Sequence, residues 1–373
     1  MPYEITYGIL IEESKFWKKG DGAVKKILSV ILSVCLLAAV LPGCGVVQDH
    51  EDMKVIGVIS KGDDTAFWRA VLAGAEDAAI ENGYAMTFRG TEHMGQEGMS
   101  EQQRIMQLAL DNGAVGIVVA AVGEGFVEQL AEADRRNIPV IQFDSGVWPS
   151  DLATLKREKC NPVVASVYTK NREAAYLSAE HLFDHVWWDI SAVKDPYRDP
   201  YVVGVIQHDL SPSGRDRTEG FVERFTELAE MNPETRGKYK ILLQVRSSSA
   251  RNNYAKALGH LYEEGVDAVF MTSGDVVEQV SEEISKTGSR YENVVFTGFD
   301  AGDRQLNWMR SMEMPVLIGS VTQDAYQLGY NAVLQCVNGM EARGVTAFVE
   351  IPGIWYNRFN LEDLMEQNLI EEG

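Results

Sequence analysis

From residue 55 onward, short unbroken apolar runs alternate with longer stretches in which apolar residues recur at helical spacing. VIGVIS (55–60), AMTFRG (85–90), VGIVVAA (115–121) and IPVIQFD (138–144) read as strands. Helices are predicted over Ala66 to Glu81, from about Ser100 to Asp111 and from about Gly125 to Arg136. The strand runs are continuously hydrophobic rather than alternating, as strands covered on both faces are, so the expected sheet is parallel with helical crossovers. A less regular piece, VWPSDLATLKREKCNP (147–162), is rich in charge and turn formers and predicts an irregular insertion from Trp148 to Asn161. After it a second series begins: PVVASVY, YVVGVIQ, YKILLQV, VDAVFMT, NVVFTGF and PVLIGSV, with helical stretches from Gly214, Ser249, Val276, Gly302 and Asp324. The fold class is therefore α/β, with two doubly wound parallel-sheet domains divided near residues 165–170. No motif recurs at the period of roughly 20–50 residues that marks a solenoid.

In open parallel sheets ligands gather outside the carboxyl ends of the strands, and two such sheets facing one another enclose a cleft. The strand tips here are Ser60 to Trp68, Ala120 to Gly123, Asp144 to Gly146, Ser211 to Arg217, Ser247 to Asn252, Thr272 to Asp275, Phe299 to Gly302 and Thr322 to Asp324. They are crowded with carboxylates, amides, hydroxyls, two arginines and paired aromatics. A sugar suits that mixture: its hydroxyls donate and accept at once, and its C–H faces lie against aromatic rings. A hydrogen bond to a charged partner contributes about 1.5–3 kcal/mol, while immobilising a ligand costs at least about 4 kcal/mol. Three or four charged contacts plus an aromatic face reach the roughly −8 kcal/mol of micromolar binding; one pair does not.

The segment before residue 53 changes the picture of where the protein acts. Lys25 and Lys26 precede an uncharged apolar run from Ile27 to Val40, then Leu41-Pro42-Gly43-Cys44. A basic start, a short apolar region and small residues beyond it are the layout of a secretory signal. The run is shorter than the roughly 20 residues a spanning helix needs. Leu41 to Cys44 resembles the lipobox of bacterial lipoproteins, which implies that Cys44 carries a lipid and opens the mature chain. On this reading residues 1–43 are a signal peptide and 44–52 a lipidated linker, and Val24 is a candidate for the true translation start.

Acidic side chains outnumber basic ones, 55 to 34, for a net charge of −21. Nucleic acid is a poor partner for such a chain. Of four cysteines, Cys160 and Cys336 remain inside the mature region; one disulfide or two free thiols would both fit, and free thiols are preferred. His181 and His185 stand at helical spacing, but no glutamate lies between them and no third ligand is evident, so a helix surface is the better reading. No G-x-G-x-x-G, P-loop or nucleophile-elbow motif occurs. No cofactor and no metal is expected.

The order and spacing of several pieces resemble the type I periplasmic binding proteins of the ribose/galactose kind, sugar receptors of ABC transporters, from Val55 to about Leu364. The pieces are Phe67-Trp68 with a Gly-Ala-x-x-Ala-Ala helix (Gly74 to Ala79), Ile138-Pro139-Val140 running into Phe143-Asp144, Arg215-x-Arg217-x-x-Gly220-Phe221, Thr297-Gly298-Phe299-Asp300 and Gly319-Ser320-Val321-Thr322-Gln323. The resemblance implies two lobes joined by three crossovers, near Thr169, Gln323 and Pro352. It assigns 53–168 plus 324–352 to the first lobe and 169–323 plus 353–373 to the second. It also implies an aromatic platform at Phe67 and Trp68, hydroxyl-binding carboxylates at Asp144 and Asp300, polar contacts at Arg215, Asp275 and Gln323, and a hinge contact at Thr169. Arg217 is read as structural.

The chain departs from the family at Ala120, where relatives carry Asn, and at Gly274-Asp275, where Asn-Asp is usual. It departs again at Lys170-Asn171 and in the 148–161 insertion. Residue types alone leave other roles open: Phe67 and Trp68 as the start of a core helix face, Asp144 and Asp300 as helix caps or, less well matched, as a glycosidase pair. The expected function is a non-catalytic extracytoplasmic receptor, lipid-anchored at the outer face of the membrane, that hands a sugar to an ABC permease. A sensor feeding a membrane histidine kinase or chemoreceptor is the alternative. A LacI-type effector domain would need a helix-turn-helix where the export signal stands.

Overall fold

The computed structural model describes residues 53–370 apart from 63, 92, 94, 246–252, 312 and 313. The signal, Cys44, the Ser247–Asn252 tip and the last three residues lie outside the described residues. Strands and helices alternate as the hydrophobic pattern predicts. The first series is β1 (Val55–Ile59), α1 (Ala66–Glu81), β2 (Ala85–Arg89), α2 (Gly95–Asp111), β3 (Gly116–Val119), α3 (Val127–Arg135), β4 (Val140–Phe143), α4 (Pro149–Arg157) and β5 (Val163–Thr169). The second is α5 (Asn171–Ala192), β6 (Tyr201–Gln207), α6 (Pro212–Met231), β7 (Tyr239–Val245), α7 (Asn253–Glu263), β8 (Ala268–Met271), α8 (Gly274–Thr287), β9 (Val295–Phe299), α9 (Asp303–Ser311) and β10 (Leu317–Gln323). The chain then adds α10 (Ala325–Met340), β11 (Phe348–Ile351), β12 (Gly353–Tyr356) and α11 (Leu361–Glu366).

Two six-stranded sheets result, ordered β11-β5-β4-β3-β1-β2 and β12-β10-β9-β8-β6-β7. Every pairing is parallel except β10 with β12. Each sheet is covered on both faces. In the first lobe Ile56, Val58, Val118 and Phe143 pack toward α1 and α10, while Ile59, Ile117, Val119 and Val140 pack toward α2, α3 and α4. This is why the strand sequences are apolar at consecutive positions.

Three passages of the chain between lobes set this arrangement. After Thr169 the chain enters α5, which packs on α6 and the second sheet. After Gln323 it returns as α10 and β11 to the first lobe, and at Pro352 it crosses again to β12. The returning helix α10 lies backbone-to-backbone on α1: a Cβ at Gly74 would sit 2.0 Å from the Tyr326 carbonyl oxygen, and one at Gly329 would sit 2.0 Å from that of Val71. Gly220 similarly brings α6 onto α5, with Arg172 O 2.4 Å from the position of a Cβ.

Helix starts follow from local chemistry. The hydroxyls of Thr65, Ser211 and Ser273 accept from the backbone N–H groups of Trp68, Gly214 and Val276, and the Asp324 carboxylate accepts from Gln327. Each cap satisfies a donor that the first turn leaves open. The insertion is a correction to the sequence reading, since its first half is the helix α4 rather than irregular chain. Pro149 at the first helical position, Asp151 in the first turn and Lys156 and Arg157 in the last all favour it. Asp151 is itself buried, and its carboxylate accepts from the backbone N–H groups of Gly125 and Phe126. Trp148 is half-buried against the core cluster beneath α4.

Cys160 and Cys336 are unpaired, Cys160 in the cluster under α4 and Cys336 in the one on the opposite face of the sheet. Burial pushes the Cys336 thiol up to about 12. No helix among the described residues is long and apolar enough to cross a membrane.

The glycine contacts give a paired prediction. Gly74→Ala lowers stability in urea by about 1–3 kcal/mol, the usual cost of forcing an extra methyl into a packed interface. Gly259→Ala, in α7 with nothing within 4 Å of the added Cβ, raises stability by about 0.5–1 kcal/mol. Equal effects at the two sites would mean that α1 and α10 do not pack as described.

Candidate functional site

The order of each sheet reverses at one point, between β1 and β3 in the first and between β6 and β8 in the second. The crevice at such a reversal is where open α/β sheets take ligands. In the first lobe the buried Gln102 clamps it: Nε2 donates to Ser60 O at 2.7 Å and Ala120 O at 2.8 Å, and Oε1 accepts from Val122 N at 2.9 Å. In the second lobe Thr272 does the comparable work. Its hydroxyl donates to Ile206 O and accepts from His208 N at 2.9 Å, and its carbonyl accepts from Arg217 Nη1 at 2.9 Å.

Two aspartates sit at equivalent strand tips, Asp144 after β4 and Asp300 after β9, and both adopt the left-handed backbone region, with φ of 52° and 62°. A non-glycine residue there is uncommon, and such geometry concentrates at functional sites. Each is held through its N–H, Asp144 to Val167 O at 3.1 Å and Asp300 to Val321 O at 2.7 Å. Neither caps its helix in the usual way. Lys61 Nζ lies 2.6 Å from Asp144 Oδ2 as an ion pair, out of line for a hydrogen bond. Beside it Gly146 has φ 65°, and a Cβ there would meet Tyr168 Oη at 2.8 Å.

Asp300 carries more bonds. Oδ2 accepts from Gly274 N at 3.0 Å, Oδ1 accepts from Gln323 Nε2 at 2.6 Å, and Arg217 Nη1 stands 3.7 Å from Oδ2. Gln323 Oε1 in turn accepts from Thr169 Oγ1 at 2.7 Å, joining the first two interlobe crossings. Arg217 is buried, stacks 3.6 Å over the Phe299 ring and donates through Nε to Asn171 Oδ1 at 2.7 Å. Burial pulls its proton affinity below the ordinary arginine value, against the charges of Asp300, Asp144 and Asp209.

Of the residues expected from sequence, Asp300, Gln323 and Thr169 form one connected group, and Asp144 faces it from the other lobe. The field of Asp144 is felt at Arg217 across the cleft. Phe67 and Trp68 divide the aromatic role. Trp68 is 7% exposed and packs edge-to-face on Phe143, 6.2 Å between centroids, whereas Phe67 lines the cavity shared with Asp300, Thr322, Gln323 and Asn368. Adjacent helical residues point about 100° apart, so one serves the core and the other the cleft.

Arg217 has the internal ion-pairing place expected of it, and Arg215 stands at the surface. Arg217 reaches Asp300, while Arg215 is exposed and donates through Nη1 to Leu210 O at 3.0 Å. Two residues apart on a helix, they face nearly opposite ways. Asp275 is exposed in the first turn of α8, beside the Gly274 amide that holds Asp300.

Two cleft residues escaped sequence reasoning as individual candidates. Lys61 stands two residues after β1 and His208 directly after β6, both at the sheet reversals. His208 Nδ1 pairs with Thr272 Oγ1 at 2.8 Å, Nε2 lies 3.4 Å from Asp209 Oδ1, and Tyr254 donates its hydroxyl to the His208 carbonyl at 2.6 Å. Burial pushes the imidazole down to about 4, with Arg217 and Lys61 adding to the effect and Asp209 and Asp300 opposing it. Neither carries a local signal of its own; the strand order, by showing where each sheet reverses, is what finds them.

Among the described residues no group of three His, Cys, Asp or Glu is placed to hold a metal. His181 instead stacks on Trp355, 4.2 Å between ring centroids.

Two doubly wound lobes joined at three crossings, with polar strand tips from both turned to one cleft, define the hinged two-lobed class of binding proteins. Residues 56–341 match the family described as periplasmic binding protein domain, and the chain belongs to that family. Among solved structures it is similar to an ABC transporter protein of Brachyspira murdochii, also described as a LacI family transcriptional regulator, at 28% identity and a TM-score of 0.76, covering 86% of this chain and 99% of that one. It is similar in fold to a glucose-galactose binding protein from Geobacillus stearothermophilus (20% identity, TM-score 0.65, 83% and 99% covered). A carbohydrate transporter solute binding protein from Agrobacterium radiobacter, solved with D-arabinose, also shares the fold (19%, 0.67, 86% and 100%). No curated protein matches the chain.

The depressed His208 gives a pH prediction. Its folded value lies below the ordinary value of about 6.5, so the unfolded chain takes up this proton first. The group therefore leaves stability unaffected above about pH 6.5 and lowers it progressively as the pH falls toward about 4. Urea midpoints across that window should fall less steeply in His208→Gln than in the wild type; identical slopes would show that the imidazole is not held neutral.

Proposed function

We propose that the protein is a non-catalytic extracytoplasmic receptor that closes its two lobes over a sugar or sugar-like molecule and presents it to an ABC permease. The observation that carries this reading is the pair of left-handed strand-tip aspartates, Asp144 and Asp300, one from each lobe, with Phe67 lining a cavity beside Asp300. Carboxylates fixed by backbone and counter-ions accept from ring hydroxyls, and an aromatic ring covers a C–H face. Solved structures of the same fold support the ligand class: D-arabinose, D-fucose and D-allose are bound in three of them.

The proposed ligand contacts are Phe67, Asp144, Asp300 and Gln323, with Thr169 fixing Gln323 from behind. Lys61, His208 and Arg217 add polar groups to that set. Trp68 braces the platform from the core, and Arg215 and Asp275 stand at the rim for outer contacts. Nothing in this arrangement positions a nucleophile against a scissile bond. Asp144 is paired with Lys61, and Asp300 is already held by two amide donors and paired with Arg217, so both suit holding a hydroxyl better than proton transfer. Cys44 is proposed as the lipidated residue that keeps the receptor at the membrane surface.

Thermal shift against a panel of pentoses and hexoses tests the ligand class. A sugar at about 100 times its dissociation constant adds about 2.7 kcal/mol of stability, and Asp300→Ala or Asp144→Ala removes the response. A wild type that responds to no sugar, or variants that respond as it does, would contradict the proposed site. For the anchor, Cys44→Ala should abolish incorporation of labelled lipid; undiminished labelling would refute it.

A further inference from the structure

The Asp300 main chain is held more firmly than a strand tip requires. Its carbonyl oxygen accepts from three side chains at once: Tyr356 Oη at 2.7 Å, Ser320 Oγ at 3.0 Å and Gln305 Nε2 at 3.1 Å. A carbonyl offers two lone pairs, so the oxygen is saturated and its direction is fixed from three sides. The donors come from three elements, β12, β10 and α9, and all are buried, at 0%, 0% and 3% exposure. Gln305 commits its amide nitrogen to this bond while its own Oε1 stays buried without a partner. On the other side of the residue, the Asp300 N–H is bonded to Val321 O.

We propose that Tyr356, Ser320 and Gln305 are positioning residues of the sugar site, acting through the Asp300 carbonyl to lock the left-handed turn that aims its carboxylate into the cleft. The inference rests on the proposed sugar-binding role only for its effect on affinity. A left-handed residue other than glycine relaxes toward the ordinary helical or extended region unless its surroundings prevent it. That relaxation would swing the Cα–Cβ bond and separate the carboxylate from Gly274 N and Gln323 Nε2. Tyr356 supplies the shortest of the three bonds, from the strand added after the third interlobe crossing. β12 therefore has a role beyond closing the edge of the second sheet: it ties the third crossing to the carboxylate.

The proposal separates from a merely structural role through one amide. Gly274 N–H is protected by Asp300 Oδ2, so its hydrogen exchange reports the aim of the carboxylate without any ligand. In Tyr356→Phe, which keeps the buried ring, and in the double variant Tyr356→Phe/Ser320→Ala, exchange at Gly274 should accelerate roughly tenfold or more while Val118 and Val205 exchange as in the wild type. For any sugar of a panel of D-arabinose, D-fucose, D-allose, D-glucose and D-galactose that binds the wild type, affinity should fall roughly 3- to 10-fold, the factor expected for one lost hydrogen bond. Unchanged Gly274 exchange in both variants, or acceleration spread evenly through the second lobe, would overturn the proposal. A wild type that binds none of the sugars would contradict the proposed ligand class, and the exchange result would still decide the positioning role.

Discussion

The hydrogen bond from Thr169 to Gln323 ties together two of the three places where the chain passes between lobes, and much of the molecule's behaviour depends on it. Thr169 ends β5 of the first sheet, and Gln323 ends β10 of the second. Gln323 spends its carbonyl on the hinge and its amide on Asp300, so a contact at the carboxylate is one residue removed from the crossing. Arg217 closes a second path, from Asp300 back to Asn171 just beyond the first crossing. On the proposed reading, a ligand that competes for Asp300 would act one residue away from these crossings, and hinge closure needs only a few residues to change conformation.

The lobes present their carboxylates in different electrostatic settings. Asp144 is mostly buried and balanced by one lysine, which also stands 6.0 Å over Trp68. Asp300 is balanced by amides and a more distant, buried guanidinium. A buried charge is tolerable only when paired or hydrogen-bonded, and both solutions meet that demand without using every acceptor site of the carboxylate. The remainder is available to a guest. Lys61 is about a third exposed, whereas Arg217 is buried and stacked on Phe299.

The fold was legible because consecutive apolar residues leave a doubly covered strand little alternative, and because several helices begin at a Ser, Thr or Asp cap. The α4 helix was not: nine residues with scattered apolar positions carry little periodicity, and its charges and flanking turn residues suggested irregular chain. Asp144 and Asp300 could be placed at strand tips from sequence, but their left-handed backbone depends on bonds from β5 and β10 that no local pattern contains. Choosing between Arg215 and Arg217 required the phase of α6, and a two-residue error reverses the face. Lys61 and His208 become conspicuous only when strand order shows where each sheet reverses.

The central claim is that one ligand is held by carboxylates from both lobes. The most direct measurement is an atomic-resolution structure of the complex with whichever sugar gives the largest thermal shift. The account predicts sugar hydroxyls within hydrogen-bonding distance of both Asp144 and Asp300, with Phe67 against a C–H face. A sugar bound by one lobe alone, or seated away from both aspartates, would contradict it.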